Sequence, residues 1–125
     1  MKFMTMVKSK EGQMPPPRLM EEIAKLGEQA AADGTMVLSG GLYPSADGVR
    51  VSVSGGELKV LDGPFTEAKE VIGGFAIFEL KSKEEAVEAA KHFMELHRKH
   101  WPGWEGVSEV RRMFGPDDAF PPGKR

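Results

Sequence analysis

Asp62 is the first residue to consider for chemistry, because it stands between an apolar run and the dipeptide Gly63-Pro64. Glycine frees the backbone and proline restricts it, so this order predicts a tight turn with the carboxylate at its mouth. If the neighbouring Phe65 or an interface raises its pKa, Asp62 becomes a candidate general base. The alternative is structural, since an Asp before Gly-Pro commonly accepts the backbone N–H bonds that fix a turn. We take Asp62 as the candidate catalytic residue and Phe65 as part of a ligand pocket.

Charged residues follow immediately, in the segment 66–70. Lys69 is a candidate contact for an anion, and Glu70 would place a second carboxylate at the same mouth. The alternative is that both are ordinary loop charges in contact with solvent. We count both as candidate ligand-binding residues.

Three histidines and two tryptophans lie close together late in the chain: His92, His97, His100, Trp101 and Trp104. His97 and His100 are three residues apart, so on a helix they share a face, as metal ligands often do. With no obvious third ligand, this spacing predicts no metal site. His97 also falls on an apolar helical stripe, which favours a packed histidine with one hydrogen-bonded nitrogen. The tryptophans either wall a ligand pocket or anchor this segment. His97 and Trp101 are therefore candidate ligand-binding residues.

Composition and motifs exclude several classes of protein. There is no Cys, which removes disulfides, thiolate nucleophiles and Cys-based metal sites. Lys and Arg number 17 against 19 acids, a net charge of -2, so no nucleic-acid partner is expected. No P-loop, dinucleotide-binding glycine pattern or His-Glu-x-x-His motif is present, and we predict no cofactor. Without a signal peptide or an apolar run of about 20 residues, we expect a cytoplasmic protein with no membrane partner.

Hydrophobic periodicity defines the elements that must position these residues. One amphipathic helix is predicted from Leu19 to a stop at Gly34, and another from the capping box at Ser82 to about Lys99. Apolar and polar residues alternate on both sides of Gly55-Gly56, which predicts a β-hairpin. Further strands are predicted over Lys2–Lys8, Thr35–Leu42, Val71–Leu80 and Gly106–Met113.

The order of these elements is β-α-β, hairpin, β-α-β, which is typical of an α+β, ferredoxin-like βαββαβ fold with an inserted β-hairpin. We expect an antiparallel sheet with both helices on one face, in a single domain over residues 1–114 followed by a tail at 115–125. Gly40-Gly41 in the second strand predicts a bulge or a close backbone approach.

The strand over Val71–Leu80 is apolar on both faces, and so is the first strand. The helices can cover only one face of the sheet, and an exposed apolar face of this size would promote association or aggregation. The simplest cover is a second copy of the chain, related by a two-fold axis. We therefore expect a homodimer through the open sheet face.

The run Asp62-Gly63-Pro64-Phe65, the charged loop after it and Gly73-Gly74-Phe75 resemble the DGPF branch of the YCII-related family. The segments 97–106 and 110–113 also look like that branch, and the likeness spans most of residues 1–114. The resemblance implies a dimeric α+β barrel. In the wider family an Asp and a His have been proposed as an active pair, and some relatives are linked to elimination or dehalogenation chemistry. Asp62 matches the acid, whereas the predicted first helix, Leu19 to Asp33, contains no histidine.

Two functions follow as expectations. The first is a homodimer that binds a small molecule in a pocket near Asp62, with acid–base chemistry of the lyase type if it is an enzyme. The second is a non-enzymatic interaction or regulatory module. The resemblance supports the second as well, because such proteins are often encoded beside alternative sigma factors. Phe120, among the prolines of the tail, would then be the first docking residue to test.

Overall fold

Six strands and two helices are present in the computed structural model, which describes residues 1–65 and 70–118. The strands are β1 (Lys2–Ser9), β2 (Met36–Gly41), β3 (Val49–Ser54), β4 (Glu57–Asp62), β5 (Val71–Glu79) and β6 (Val107–Arg112). The helices are α1 (Pro17–Ala32) and α2 (Lys83–His100). The protein is therefore of the α+β class that the order of patterns predicts.

Four of the strands form one antiparallel sheet in the order β2-β5-β1-β6. This order, with one helix between β1 and β2 and the other between β5 and β6, is consistent with a ferredoxin-like fold. Strands β3 and β4 pair only with each other, as a separate two-stranded sheet. Their turn is formed by Gly55 and Gly56, both at positive φ (+59° and +78°), which a side chain would disfavour.

α1 begins at Pro17, two residues before the predicted Leu19, whereas the predicted stop at Gly34 and the predicted cap at Ser82 are confirmed. Pro17 is the first residue of α1, where the missing N–H costs nothing. After α1, Gly34 adopts a φ of +77° and donates its N–H to the Ala31 carbonyl. At the start of α2, the Ser82 hydroxyl accepts the Glu85 N–H at 3.2 Å.

The irregularity predicted in β2 lies elsewhere in that strand. The register against β5 shifts between Met36 and Leu38, so the bulge is at Val37 and its placement at Gly40-Gly41 was wrong. Gly40 instead shows the close approach that was the other expectation. It pairs with Phe75, and a Cβ at Gly40 would lie 3.3 Å from the Phe75 ring.

The sheet register separates the strand residues into two faces, because directly paired residues share a face. One face carries Phe3 and Thr5, both buried, and both helices pack against it. The other face, called here the open face, carries Met4, Met6, Leu38, Phe75 and Ile77 in its centre. The strand β5 is thus apolar on both sides, as its sequence predicts.

The fully buried core is small in the described residues. Its largest members are Phe3 on β1 and Leu19 on α1, and Ala86 and Ala90 bring α2 close to the sheet. No helix among the described residues is long and apolar enough to cross a lipid bilayer.

Candidate functional site

Small side chains on the helix-facing side of the sheet leave open space beneath the helices. At this end of the sheet, β1 contributes Thr5 and β5 contributes Gly74 and Ala76, while the bulky Phe75 and Ile77 point to the open face. The resulting cavity has a volume of about 680 Å³, within the usual range for ligand pockets. The helices contribute an apolar roof: Leu19, Ile23, Leu26, Ala30, Ala90 and Phe93.

One end of this cavity is aromatic, because the last turn of α2 and the loop after it bring four rings together. The His97 ring lies 4.8 Å from the Phe93 ring and 4.5 Å from the Trp104 ring, between centroids. The Trp101 ring stacks on Trp104 at 5.7 Å. All four side chains line the cavity. We call these four residues the aromatic end.

His97 is the one ionisable member of the aromatic end, and it is only 6% exposed. Its Nδ1 lies 3.0 Å from the Phe93 carbonyl oxygen, which can only accept, so Nδ1 carries the proton. Burial lowers the pKa of His97, and the hydrogen bond to Phe93 opposes this in part. The imidazole is therefore neutral near pH 7, and its Nε2 is a hydrogen-bond acceptor and a candidate base.

Gly106 fixes the position of the Trp104 ring. A Cβ at Gly106 would overlap that ring and would lie 2.9 Å from the Lys8 carbonyl oxygen. The indole therefore rests directly on the backbone just before β6. Only glycine leaves room for this contact, so the ring that packs on His97 is held from both sides.

The turn at Asp62 is anchored to a second turn at 44–48. Gly63 donates its N–H to the Gly48 carbonyl at 2.8 Å, and Phe65 donates its N–H to the Ser45 hydroxyl at 3.0 Å. The Ser45 hydroxyl and N–H both donate to the Glu11 carboxylate. These hydrogen bonds lower the pKa of Glu11. Ser45 is buried, so this network joins three loops at one point.

A second, more open groove of about 790 Å³ lies beside this turn. Phe65 and Glu70 line it, together with Lys8 from the open face and Arg50 from β3. The Arg50 guanidinium lies 4.0 Å above the Phe65 ring, a cation–π contact. The groove is therefore bordered by charged side chains, and Glu11 lines both the groove and the cavity beneath the helices.

A model of the YCII-related domain matches residues 1–94, that is 94 of the 125 residues. This chain belongs to the YCII-related domain family. An uncharacterized protein of Rhizobium meliloti (strain 1021) is 30% identical to it over 74 residues, which are 59% of this chain and 60% of that protein. The chain thus matches about three fifths of the length of this curated relative.

In this YCII-related chain, the predicted site residues fall into two separate places. His97 and Trp101 line the cavity, whereas Phe65 and Glu70 line the groove. Asp62 is exposed at the end of β4 and lines neither of them. Its role as catalytic residue stays a prediction.

Some predictions lie outside the described residues. Lys69 is one of them, with the loop 66–69, and so are Phe120 and the rest of the tail from residue 119. Among the described residues, no three His, Asp or Glu side chains are grouped closely enough to hold a metal ion.

Sequence reasoning missed Glu11, Ser45 and Gly106. Glu11 and Ser45 lie 34 residues apart in two different loops, so no local pattern connects them. Ser45 stands in the turn-rich run Pro44-Ser45-Ala46-Asp47-Gly48, which indicated a loop but not its partner. The match to the YCII-related family model ends at residue 94, so three of the four residues of the aromatic end, His97, Trp101 and Trp104, lie beyond it.

Proposed function

We propose that this protein is a homodimeric member of the DGPF branch of its family and binds a small, mainly apolar molecule in the cavity beneath the helices. In this proposal His97 is the polar group that orients the ligand and serves as the base in any acid–base reaction. The observation that carries the proposal is a cavity of about 680 Å³ with a buried, neutral histidine at its aromatic end. A large apolar pocket with few polar groups is the usual form of a small-molecule site.

The chemistry of the aromatic end favours a particular class of ligand. Phe93, Trp101 and Trp104 offer ring faces and edges, which favour a flat or ring-shaped molecule. Because Nδ1 of His97 already donates to the backbone, Nε2 can accept a bond from the ligand. We therefore expect a ring compound with one O–H or N–H donor. Asp62, outside this cavity, does not take part in binding in this proposal.

The first test uses two ring compounds that differ in one group, 2-naphthol and 2-methylnaphthalene. We expect 2-naphthol to bind about 3- to 10-fold more tightly, the range for one added neutral hydrogen bond. In His97→Leu that preference should disappear while 2-methylnaphthalene still binds. Calorimetry measures both affinities. Quenching of Trp fluorescence locates the ligand, since both tryptophans of the chain line the cavity.

A matched pair of variants on α1 then tests the location. Ala30 lines the cavity, and its neighbour Ala31 is exposed. Ala30→Phe should fill part of the cavity and abolish binding of 2-naphthol, whereas Ala31→Phe should leave it unchanged. Equal binding by the two variants would count against the cavity as the ligand site.

The homodimer is proposed because the open face has no cover within the described chain. Leu38, Ile72 and Val107 are 55%, 42% and 47% exposed there, around half-buried methionines and Phe75. Charged side chains lie along one side of this apolar surface, where β6 carries Glu109 and Arg111 and Lys8 pairs with Glu109 at 2.8 Å. An apolar surface with a charged rim is typical of a protein interface.

The dimer is tested with Ile77→Lys, which places a charge in the centre of the open face. Sedimentation velocity should show a dimer for the wild type and a monomer for this variant. Ala24→Lys, on the exposed side of α1, is the control and should remain dimeric. A monomeric wild type at micromolar concentration would contradict the dimer but not the cavity.

A further inference from the structure

The hairpin formed by β3 and β4, called here the hairpin arm (residues 49–62), has one apolar face that is more than half exposed. Its register places Val49 opposite Asp62 at the base, so the carboxylate of Asp62 lies at one end of this face. Val51 lies opposite Val60 and Val53 opposite Leu58, and with Val49 these aliphatic side chains share the face. They are between 54% and 74% exposed. The opposite face is mainly polar and carries Arg50, Ser52, Ser54, Glu57 and Lys59.

The hairpin arm is held at its base. The hydrogen bond from Gly63 to Gly48 and that from Phe65 to Ser45 hold the base, and neither strand pairs with the four-stranded sheet. An isolated two-stranded hairpin is only marginally stable in water. An amphipathic hairpin with a bare apolar face therefore needs another surface to pack against.

The area available decides what kind of surface fits. Five aliphatic side chains exposed to this degree present roughly 300 Å² of apolar surface. A stable protein interface buries about 800 Å² on each partner. The hairpin arm alone is too small for such an interface. The centre of the open face is half-buried, so the apolar area that it can offer to a partner is also limited. Burying the hairpin arm together with the open face gives a larger apolar interface than either surface alone.

We infer that the hairpin arm is a dimerisation arm whose apolar face packs on a second copy of this chain. It extends the interface that starts at the open face, and it rests on the homodimer proposed above. We take the partner to be a second copy of the chain, because in a two-fold symmetric dimer each copy covers the arm of the other. The closed pair then exposes neither arm for the addition of further copies.

The test is a charge placed on either face of the same strand. Val53 points to the apolar face and its neighbour Ser52 to the polar face. Val53→Lys should weaken dimerisation at least 10-fold in sedimentation experiments, whereas Ser52→Lys should change it less than 3-fold. Far-UV circular dichroism should stay unchanged in both, since the arm stands outside the four-stranded sheet. Equal dimer affinities for Val53→Lys and the wild type would overturn the inference.

The comparison with Ile77→Lys separates this inference from the homodimer itself. If Ile77→Lys is monomeric and Val53→Lys dimerises normally, the dimer stands and the arm has no part in it. If the wild type is monomeric, both fail. If the wild type is monomeric and sediments with phosphatidylglycerol vesicles, and Val53→Lys does not, then the arm binds a lipid surface. That result would also overturn the inference.

A second measurement applies if Val53→Lys does not fold. The chain has no Cys, so Val53→Cys accepts a single environment-sensitive dye. Dilution from dimer to monomer should shift the emission of this dye to the red, because its surroundings on the arm become exposed to water. A dye at Ser52→Cys should show no shift. Absence of a shift at Val53 would overturn the inference without the lysine variant.

Discussion

The turn at Asp62 and the cavity at His97 differ in every property that a site for chemistry needs. The turn is tight: Gly63 lies so close to Ser45 that a Cβ would overlap its carbonyl oxygen, and the nearby N–H groups are bonded. Asp62 itself points to solvent. The cavity is roomy and apolar, and it holds a buried imidazole that stays neutral.

The residues of a conspicuous motif can therefore be set by how two turns pack together and not by a ligand. Gly63 is required by the close approach of two turns, and the Phe65 ring packs under the Arg50 guanidinium. Neither contact involves a ligand. Space for a ligand arises instead where the sheet has small side chains, at positions such as Thr5 and Ala76, which have no motif at all.

Gly63→Ala should have the largest effect, because the added methyl group meets backbone rather than a side chain that can move. We expect a loss of at least about 3 kcal/mol in the free energy of unfolding, measured with urea. Gly73→Ala is the control, since a Cβ there has no atom within 4 Å, and it should change stability by less than about 1 kcal/mol. Equal urea midpoints for the two variants would show that the turns are not locked together.

Ser45→Ala should come next, with a loss of about 1–3 kcal/mol, because it leaves the Phe65 N–H without its partner. It should also reduce a pH dependence, because it removes the hydroxyl bond to Glu11 but keeps the backbone N–H of residue 45, which also donates to Glu11. Ser45 lowers the pKa of Glu11, so this stabilisation is complete above about pH 4.3 and is lost as the pH falls through the lowered value. Urea unfolding at several pH values tests both effects. Ser52→Ala, exposed on the hairpin arm, should reproduce neither.

His97 should give the cavity a pH dependence of its own. Its folded pKa is lowered, so the unfolded chain binds a proton that the folded chain does not. Stability should be constant above about pH 6.5 and decrease below it, by at most about 1.4 kcal/mol per pH unit. His97→Gln should flatten the curve, and His92→Gln, exposed on the same helix, should not. Identical curves for His97→Gln and the wild type would contradict a buried neutral imidazole.

Asp62→Asn should have the smallest effect, less than about 0.5 kcal/mol on stability, because the side chain is exposed. Binding of 2-naphthol should change less than twofold, as in Glu57→Gln, an exposed carboxylate at the other end of β4. A selective loss of binding in Asp62→Asn would instead support the prediction made from sequence, and would reverse the contrast between the two regions.

The parts of the fold that were predictable from sequence have local causes. Gly55-Gly56 predicts the hairpin because its turn needs two residues at positive φ, and Ser82 predicts a helix start because its hydroxyl caps a nearby N–H. His97 was expected to be packed with one bonded nitrogen because helical spacing links sequence position to face.

The remaining features depend on residues that are distant in sequence or on exact shape. The bulge at Val37 is set by the register against β5, which the residues of β2 alone do not determine. The link between Glu11 and Ser45 joins two loops. The cavity arises from small side chains on three strands under two helices, a difference in volume that hydrophobic periodicity does not record.

The sheet order has a consequence for the protein during its synthesis. In the described residues β1 is bonded to β5 and β6, and β2 is bonded to β5, so neither has a partner strand until β5, residues 71–79, has left the ribosome. Until then the hairpin of β3 and β4 is the only strand pairing of the described fold that the nascent chain can form. During that interval Phe3 and its apolar neighbours have no partner strand, and unpaired apolar strands of this kind promote aggregation.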